Sequence, residues 1–548
     1  MKISKILSLF LTVPMAIGVL AGCGSSTSMQ TQSPSSSPTG SAAAQKTEEE
    51  LRLEKLSAPG EFPVTTEDIT LTVMGAKGGS QGEWAEMKLF KVWSELTGIK
   101  LEFTTAPKDN WDEKKNLAFA SGNLPDFFFA GYLSENDEMN FGKQGLLIPL
   151  GDLIETHAPN LTALFEKDET IKKSITTPDG NIYATPYIDD MERNLTQKYW
   201  INKVWMDQLG LSVPTTTDEL YQVLKAFKER DPNGNNKADE IPASWTENGF
   251  RKTLSWWGLN VNSDTYLGNH DGKVFYAPIE AAYKDYLIYY NKLFTEKLID
   301  SEAFTQPTSQ LKAKGKEDTL ILGSFFEAGP FVVVNNEYNE DYIALSPLKA
   351  PDGTQEWTKQ SGIKRGTFAI TKDNKYPEAT IKMIDWIYSK EGSLTAMRGV
   401  ADEDFKYTNA DKTECELIIP EGFSNFEEYR AKMLTPNSGS QTPGIGGGTL
   451  PVVVNPLNSY IDLQVKENLM PYWKEPYPLT YLPSAAQKEV ATISADINNY
   501  TLETTARFIT GDLSIEKEYD NFISELKKMG VERYVQIYQE AYDSWAAN

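Results

Sequence analysis

The sequence predicts a protein of two α/β lobes. Three observations carry this. At 548 residues the chain is too long for one small core. Strand-like and helix-like segments alternate through its first third, and the same alternation resumes after about residue 190. Its 40% hydrophobic and 11% aromatic content is that of a globular protein.

The folded body is predicted to open with Asp68–Ala76, "DITLTVMGA", whose β-branched and apolar residues alternate as in a strand. In "GEWAEMKLFKVWSELTG" Trp84, Met87, Leu89, Phe90, Trp93 and Leu96 fall at helical spacing, and Gly98 is the stop. "IKLEFTTA" reads as a second strand, "WDEKKNLAFASG" as a second helix and "PDFFFAG" as a third, apolar strand, so a parallel sheet covered by helices is expected. After "TPDGNIYATPYID" come strand "QKYWIN", helix "KVWMDQLG" and a longer helix. There Thr216 and Glu219 fit a capping box, and Leu220, Val223, Leu224 and Phe227 form one face. "GTFAITKD" reads as a strand, "YPEATIKMIDWIYSKEG" as a helix, and Ile493 to Trp545 as mostly helical.

Asp and Glu number 77 against 53 Lys and Arg, a net charge of −24. Such a chain repels nucleic acid and anionic lipid surfaces, which leaves a neutral or cationic ligand unless a local basic pocket overrides the field. Residues 1–22 read as a secretory signal: Lys2 and Lys5 precede an apolar run, Ile6 to Leu20, too short and interrupted to span a membrane comfortably. Leu20-Ala21-Gly22-Cys23 looks like a bacterial lipobox, which makes Cys23 the lipidated mature N-terminus, carrying acyl chains such as palmitate. The protein is then anchored to the outer face of the cell membrane without crossing it. Residues 24–45, rich in Ser, Thr, Pro and Gly, read as a tether, and a flexible linker is expected over 23–65. Cys415 is the other cysteine, so neither an intramolecular disulfide nor a Cys-based metal centre is available.

Few catalytic signatures survive inspection. "GGSQG", Gly78 to Gly82, matches a nucleophile elbow around Ser80, but only His157 and His270 could act as its base, and an elbow normally sits deeper in its sheet. H-E-x-x-H and phosphate-loop patterns are absent. Carboxylate pairs for glycoside hydrolysis are too numerous among 77 acids to carry meaning. "RDPNGNNKADEIP" is more specific. Asp231, Asn233 and Asn235 and the carbonyl of Lys237 stand at positions 1, 3, 5 and 7 of an EF-hand-like calcium loop. Asn236 replaces the usual Gly, a place Asn can fill in left-handed backbone, and Asp239 and Glu240 supply the missing acids. Among 12 Trp and 26 Tyr, Trp84, the pair Trp256-Trp257 and Trp473 are the aromatics hardest to bury all round, and flat rings stack on sugar faces.

These segments resemble the bacterial extracellular solute-binding proteins of family 1, which deliver substrates to ABC importers. "ASGNLPDFFFAG", "TPDGNIYATPY", "GLSVPTTTDELYQVLKAFKERDPNGNNKADEIP", "GIKRGTFAITKDNKYPEATIKMIDWIYSKEG" and the C-terminal "ITGDLSIEKEYDNF" follow that family's order. The chain looks most like the large lipoprotein branch that includes alginate-oligosaccharide-binding proteins, whose calcium loop D-x-N/D-G-N-G-K-x-D-E maps onto Asp231, Asn233, Asn235, Lys237, Asp239 and Glu240. The resemblance implies a two-lobed periplasmic-binding-protein fold of type 2, the Venus-flytrap, with hinge strands crossing near Tyr187–Tyr199, Lys364–Ile370 and Tyr477–Ala485. The lobes are expected to comprise residues 66–190 with 370–480, and 191–365 with 485–548. The function implied is a monomeric, non-catalytic receptor that binds an oligosaccharide in the interlobe cleft and delivers it to permease subunits, with structural calcium. Trp84, Arg193, Asn194, Trp256, Trp257, Arg365 and Trp473 are the expected ligand contacts, and an acidic sugar would draw on Arg193, Arg251 or Arg365. The competing expectation is a surface-anchored glycoside hydrolase or polysaccharide lyase.

Overall fold

The computed structural model describes residues 46–246, 249–317, 319–437 and 441–547. The signal segment, Cys23 and most of the tether lie outside these residues. Residues from Leu51 onward form one compact body, and no helix among those described is long and apolar enough to cross a membrane.

The first lobe is built on a six-stranded sheet in the order 444–446, 185–189, 363–370, 127–129, 69–77, 99–107. Strand 69–77 pairs in parallel with 99–107, Ile69 opposite Ile99, and with 127–129. The sheet is mixed rather than all parallel, because Ile363–Ile370 runs antiparallel to both its neighbours. That strand enters from the far lobe instead of returning through a crossover helix, so the handed βαβ rule does not govern its direction. Its pairing breaks between Lys364 and Phe368. There Gly366 adopts φ +68°, and a Cβ would stand 2.0 Å from the Leu133 carbonyl oxygen. Leu89, Phe90 and Trp93 of helix Lys88–Thr97 pack on Leu71, Val73, Phe127 and Phe129 as their helical spacing requires.

The supposed linker is partly structure. Leu56 pairs with Thr65, Val64 is buried in the first-lobe core, and its N–H donates to the Thr97 carbonyl. Apolar Leu56, Phe62 and Val64 carry enough surface to dock there, unlike the Ser-rich run before them.

The second lobe holds a three-stranded antiparallel sheet, 324–326, 199–202, 342–344. Around it lie helices Thr217–Glu229, Ala281–Thr295, Pro456–Asn468, Ser484–Thr510, Ile515–Lys528 and Val531–Ala547. Thr216 caps the first of these by accepting from the Glu219 N–H at 3.2 Å. The Glu219 carboxylate, however, turns to the N–H and hydroxyl of Thr215, leaving the capping box one-sided. Many tyrosines go into this core, and several of their hydroxyls find partners, while those of Tyr266 and Tyr286 do not. Tyr276 and Tyr283 meet Thr501 and Thr505, one helical turn apart on helix 484–510, at 3.0 and 2.8 Å, and Tyr290 meets Thr253 at 2.5 Å.

The chain passes between the lobes three times. It crosses after Asp189, and again between Thr358 and Ile363. The third passage lies at about 447–456, not at 477–485, because Ile461, Val465 and Leu469 of helix 456–468 pack in the second-lobe core. Residues 456–480 therefore belong to the second lobe. Amphipathic periodicity marks the apolar face of a helix without saying which lobe receives it.

Candidate functional site

Two cavities flank the crossing strands. The first, of 390 Å³, is lined from the second lobe by Arg251, Lys252 and Asn262–Thr265, from the hinge by Thr358–Arg365, and by Glu475–Thr480. The second, of 730 Å³, lies between Asp190–Arg193, Gly447–Gly448 and Asn455–Asp462. The irregular segment 190–198 runs between them, held by buried Lys198, whose ammonium donates to the Arg193 and Thr196 carbonyls. Burial pulls Lys198 down to about 8. Asp190 joins the first and third crossings by accepting from the N–H groups of Gly448 and Thr449, at 2.6 and 3.0 Å.

Three of the four tryptophans expected at the ligand are buried and line neither cavity. Trp84 is 1% exposed, packed against Phe90, Phe103 and Phe129, with its indole N–H on Gln81. Trp256 is also 1% exposed, between Tyr199 and Trp357, and Trp257 is buried against Tyr286, Tyr289 and Tyr290. A Trp-Trp pair in a 3₁₀ segment has no clean period, so the sequence could not show both rings facing inward. Trp473 is half-buried in a two-residue strand paired with Trp357, and lines neither cavity.

Arg193 lines the second cavity but grips Asp462 with bonds of 3.0 and 2.9 Å. Asn194 lines neither cavity and donates to Asp189 at 3.1 Å. Arg365 lines the first cavity with its guanidinium already occupied. It donates to the carbonyls of Ser174, Thr480 and Leu479 and stacks on Tyr481, 3.7 Å from the ring centre. The cavity-lining residues that sequence reading missed are Lys252, Lys359, Lys364, Tyr477 and Tyr538. Single Lys and Tyr residues on a 3₁₀ segment, the hinge and a helix carry no motif, and only the fold converges them.

Arg365 belongs to a junction between lobes. Tyr481 donates to Glu138 Oε2 at 2.7 Å, and the Leu482 N–H donates to Glu135; both acids lie on helix Glu135–Lys143 of the first lobe. Glu138 is fully buried, and burial pushes its carboxyl up to about 8 against the Tyr481 bond and the Arg365 charge; Glu135 and Asp137 push in the same direction. Between 4.5 and about 8 the native protein thus holds a proton that the unfolded chain releases. This stabilisation is full below pH 4.5 and is lost as pH rises through about 8. The difference in melting temperature between wild type and Glu138→Gln should therefore change across pH 5 to 8, the wild type declining more steeply. Parallel curves from calorimetry would refute the assignment.

In the Asp231–Glu240 loop, Asn236 has φ +57° and Gly234 +71°, so Asn236 does adopt the left-handed backbone its position demands. Asp231 accepts from the N–H groups of Asn235 and Asn236 at 3.1 and 2.9 Å, curling the loop. The amides of Asn233 and Asn235 clasp Asp239, and Glu240 Oε1 is buried without a partner. Burial raises the Glu240 carboxyl, and the Asp231 and Asp239 charges add to that. An orphaned, repelled carboxylate oxygen beside a curled Asx loop fits a hard cation. Among the described residues no three His, Cys, Asp or Glu form a ready-made metal cluster, so such an ion would also need amide and main-chain oxygens.

Two lobes joined by three crossing segments, with polar cavities at the crossings, define a hinged ligand receptor. The chain belongs to the bacterial extracellular solute-binding proteins, whose family model matches residues 78–393. The fructooligosaccharide ABC transporter substrate-binding protein FusA of Streptococcus pneumoniae is 30% identical over 557 residues, 97% of each chain. A solved structure of FusA, an EF-hand mutant in complex with fructo-nystose, matches with a TM-score of 0.68 at 30% identity, covering 87% of this chain and 100% of that one. The HMO-binding ABC-transporter-associated solute-binding protein of Bifidobacterium longum infantis shares the fold, with a TM-score of 0.75 at 23% identity over 87% of this chain and 99% of its own.

Proposed function

We propose that this protein is the substrate-binding lipoprotein of an ABC importer, which captures an oligosaccharide between its lobes and delivers it to membrane permease subunits. The observation that carries this reading is the convergence of both lobes and the hinge on polar, partly aromatic cavities in a chain 30% identical to FusA, which binds fructooligosaccharide for such a transporter. A solute touching both lobes binds the closed arrangement more tightly and shifts the population towards it, and the permease reads the closed form. Cys23 holds the receptor at the outer face of the membrane, and the receptor acts as a monomer without chemistry on its ligand. The soluble body, residues 57–548, should gain melting temperature with a matching oligosaccharide and return it uncut after prolonged incubation. Turnover that disappears on replacing one carboxylate would instead establish a hydrolase or lyase.

Calcium is the proposed structural ion, held by Asp231, Asn233, Asn235, the Lys237 carbonyl, Asp239 and Glu240. Bound there, it supplies positive charge to the repelled acids and pins the end of helix 217–229. Adding calcium at 100 times its Kd should stabilise the protein by about 2.7 kcal/mol. A chelator should reverse the gain in melting temperature, and Asp231→Ala should abolish it. An unchanged melting curve with and without calcium would rule the ion out.

A further inference from the structure

We infer that the solute carries an anionic group, a carboxylate or a sulfate or phosphate ester, which sits in the first cavity against Arg251 and Lys252 and is faced from the hinge by Lys359 and Lys364. This rests on the reading of that cavity as the solute site. The chain as a whole has 24 surplus negative charges, yet this cavity is lined by five cations and three carboxylates. Arg365 is occupied by main-chain carbonyls and Tyr481. The other four make no ion pair among the described residues. Lys252 instead lies 5.5 Å from the Phe326 ring centre, Arg251 lies 5.3 Å from that of Tyr266, and Lys359 lies 5.8 Å from that of Trp473.

In a protein this acidic, surface lysines readily find carboxylates, as Lys88, Lys314 and Lys474 do. Several convergent cations without a direct partner are therefore a departure, and one that costs stability while the cavity is empty. Lys252 illustrates it. Burial pulls its ammonium below the usual lysine range, and Glu327 and Asp264 oppose this only at longer range. An anion placed there supplies the missing counter-charge. The distant acidic surface does not forbid it, since at physiological ionic strength charges beyond roughly 8 Å are largely screened. The second cavity offers no comparable site. Its two arginines are engaged, Arg193 by Asp462 and Arg398 by the Pro451 carbonyl and Cys415, and four carboxylates share its lining. Polar Gln197, Asn262, Ser263 and Thr265 also line the first cavity, each with hydrogen-bonding capacity left beyond the contacts it already makes, so the lining suits a sugar acid or ester better than a bare ion.

The test is a thermal-shift and calorimetric panel of oligosaccharides on the soluble body. Each acidic member is paired with its neutralised form: uronides with their methyl esters, and sulfated and phosphorylated sugars with their unmodified parents. The expected result is binding by an acidic member that weakens at least about tenfold on neutralisation and declines with added salt. Which pair responds identifies the anion. Lys252→Met should reproduce the tenfold loss for the acidic member, Lys252→Arg should retain binding, and Lys528→Met, at an exposed lysine outside both cavity linings, should change nothing. If the tightest ligand is neutral and indifferent to Lys252→Met, the anionic site is wrong while the receptor reading stands. If no member of the panel binds, both fail. The wild-type comparison of paired sugars requires no variant to fold.

Discussion

Replacing Trp256 by alanine is expected to destabilise the protein by about 3–5 kcal/mol, rather than to weaken ligand binding in an otherwise intact receptor. The ring is 1% exposed and wedged between Tyr199, Trp257 and Trp357, at centroid distances of 5.5, 6.4 and 6.3 Å. Its removal leaves a large cavity beside the central strand of the second-lobe sheet, where close-packed neighbours collapse only in part. Urea unfolding monitored by tryptophan fluorescence should show the midpoint moving sharply down, with the first-lobe transition least affected. A variant of unchanged stability that had lost only its ligand would return Trp256 to the cleft and refute this placement.

Arg365→Met carries the second large effect, about 3–5 kcal/mol. The change leaves the carbonyls of Ser174, Leu479 and Thr480 without their donor, and removes the cation that faces the half-buried Glu135 and the buried Glu138. Because residues 479–482 belong to the second lobe and both acids to the first, the loss falls on the coupling between lobes. Calorimetry should show a lower melting temperature and a broader transition as the lobes unfold less cooperatively. Arg365→Lys should rescue little, since a single ammonium cannot reach two adjacent carbonyls in a planar fork while stacking on a tyrosine ring. Full rescue by lysine would show that charge alone matters at this position.

The Asp231–Glu240 loop and the tryptophan environments were unequally legible. Asp231 to Glu240 is one short segment, so its spacing and local turn preferences are written in consecutive residues, and Asn236 takes the backbone expected of it. The ligand contacts were drawn from tryptophans judged hard to bury, and Trp84, Trp256 and Trp257 proved buried all the same. A ring's local period marks one apolar face. It does not reveal that a second element, such as the Trp357 strand, arrives from about 100 residues away to cover the other. Arg365 shows the same limit in reverse, standing in the cavity wall but engaged by groups from two remote segments.

The sequence by itself determined the α/β alternation, the helix Thr217–Glu229 with its Thr216 cap, and the Asp/Asn spacing of the Asp231–Glu240 loop. All of these depend on interactions within about ten residues. Tertiary structure alone decided the antiparallel entry of strand 363–370, the assignment of helix 456–468 to the second lobe, and the docking of Val64 on the first. It also decided which cations in an acidic chain would remain unpaired. Pairing and burial depend on which distant faces meet, and local periodicity carries no record of that choice.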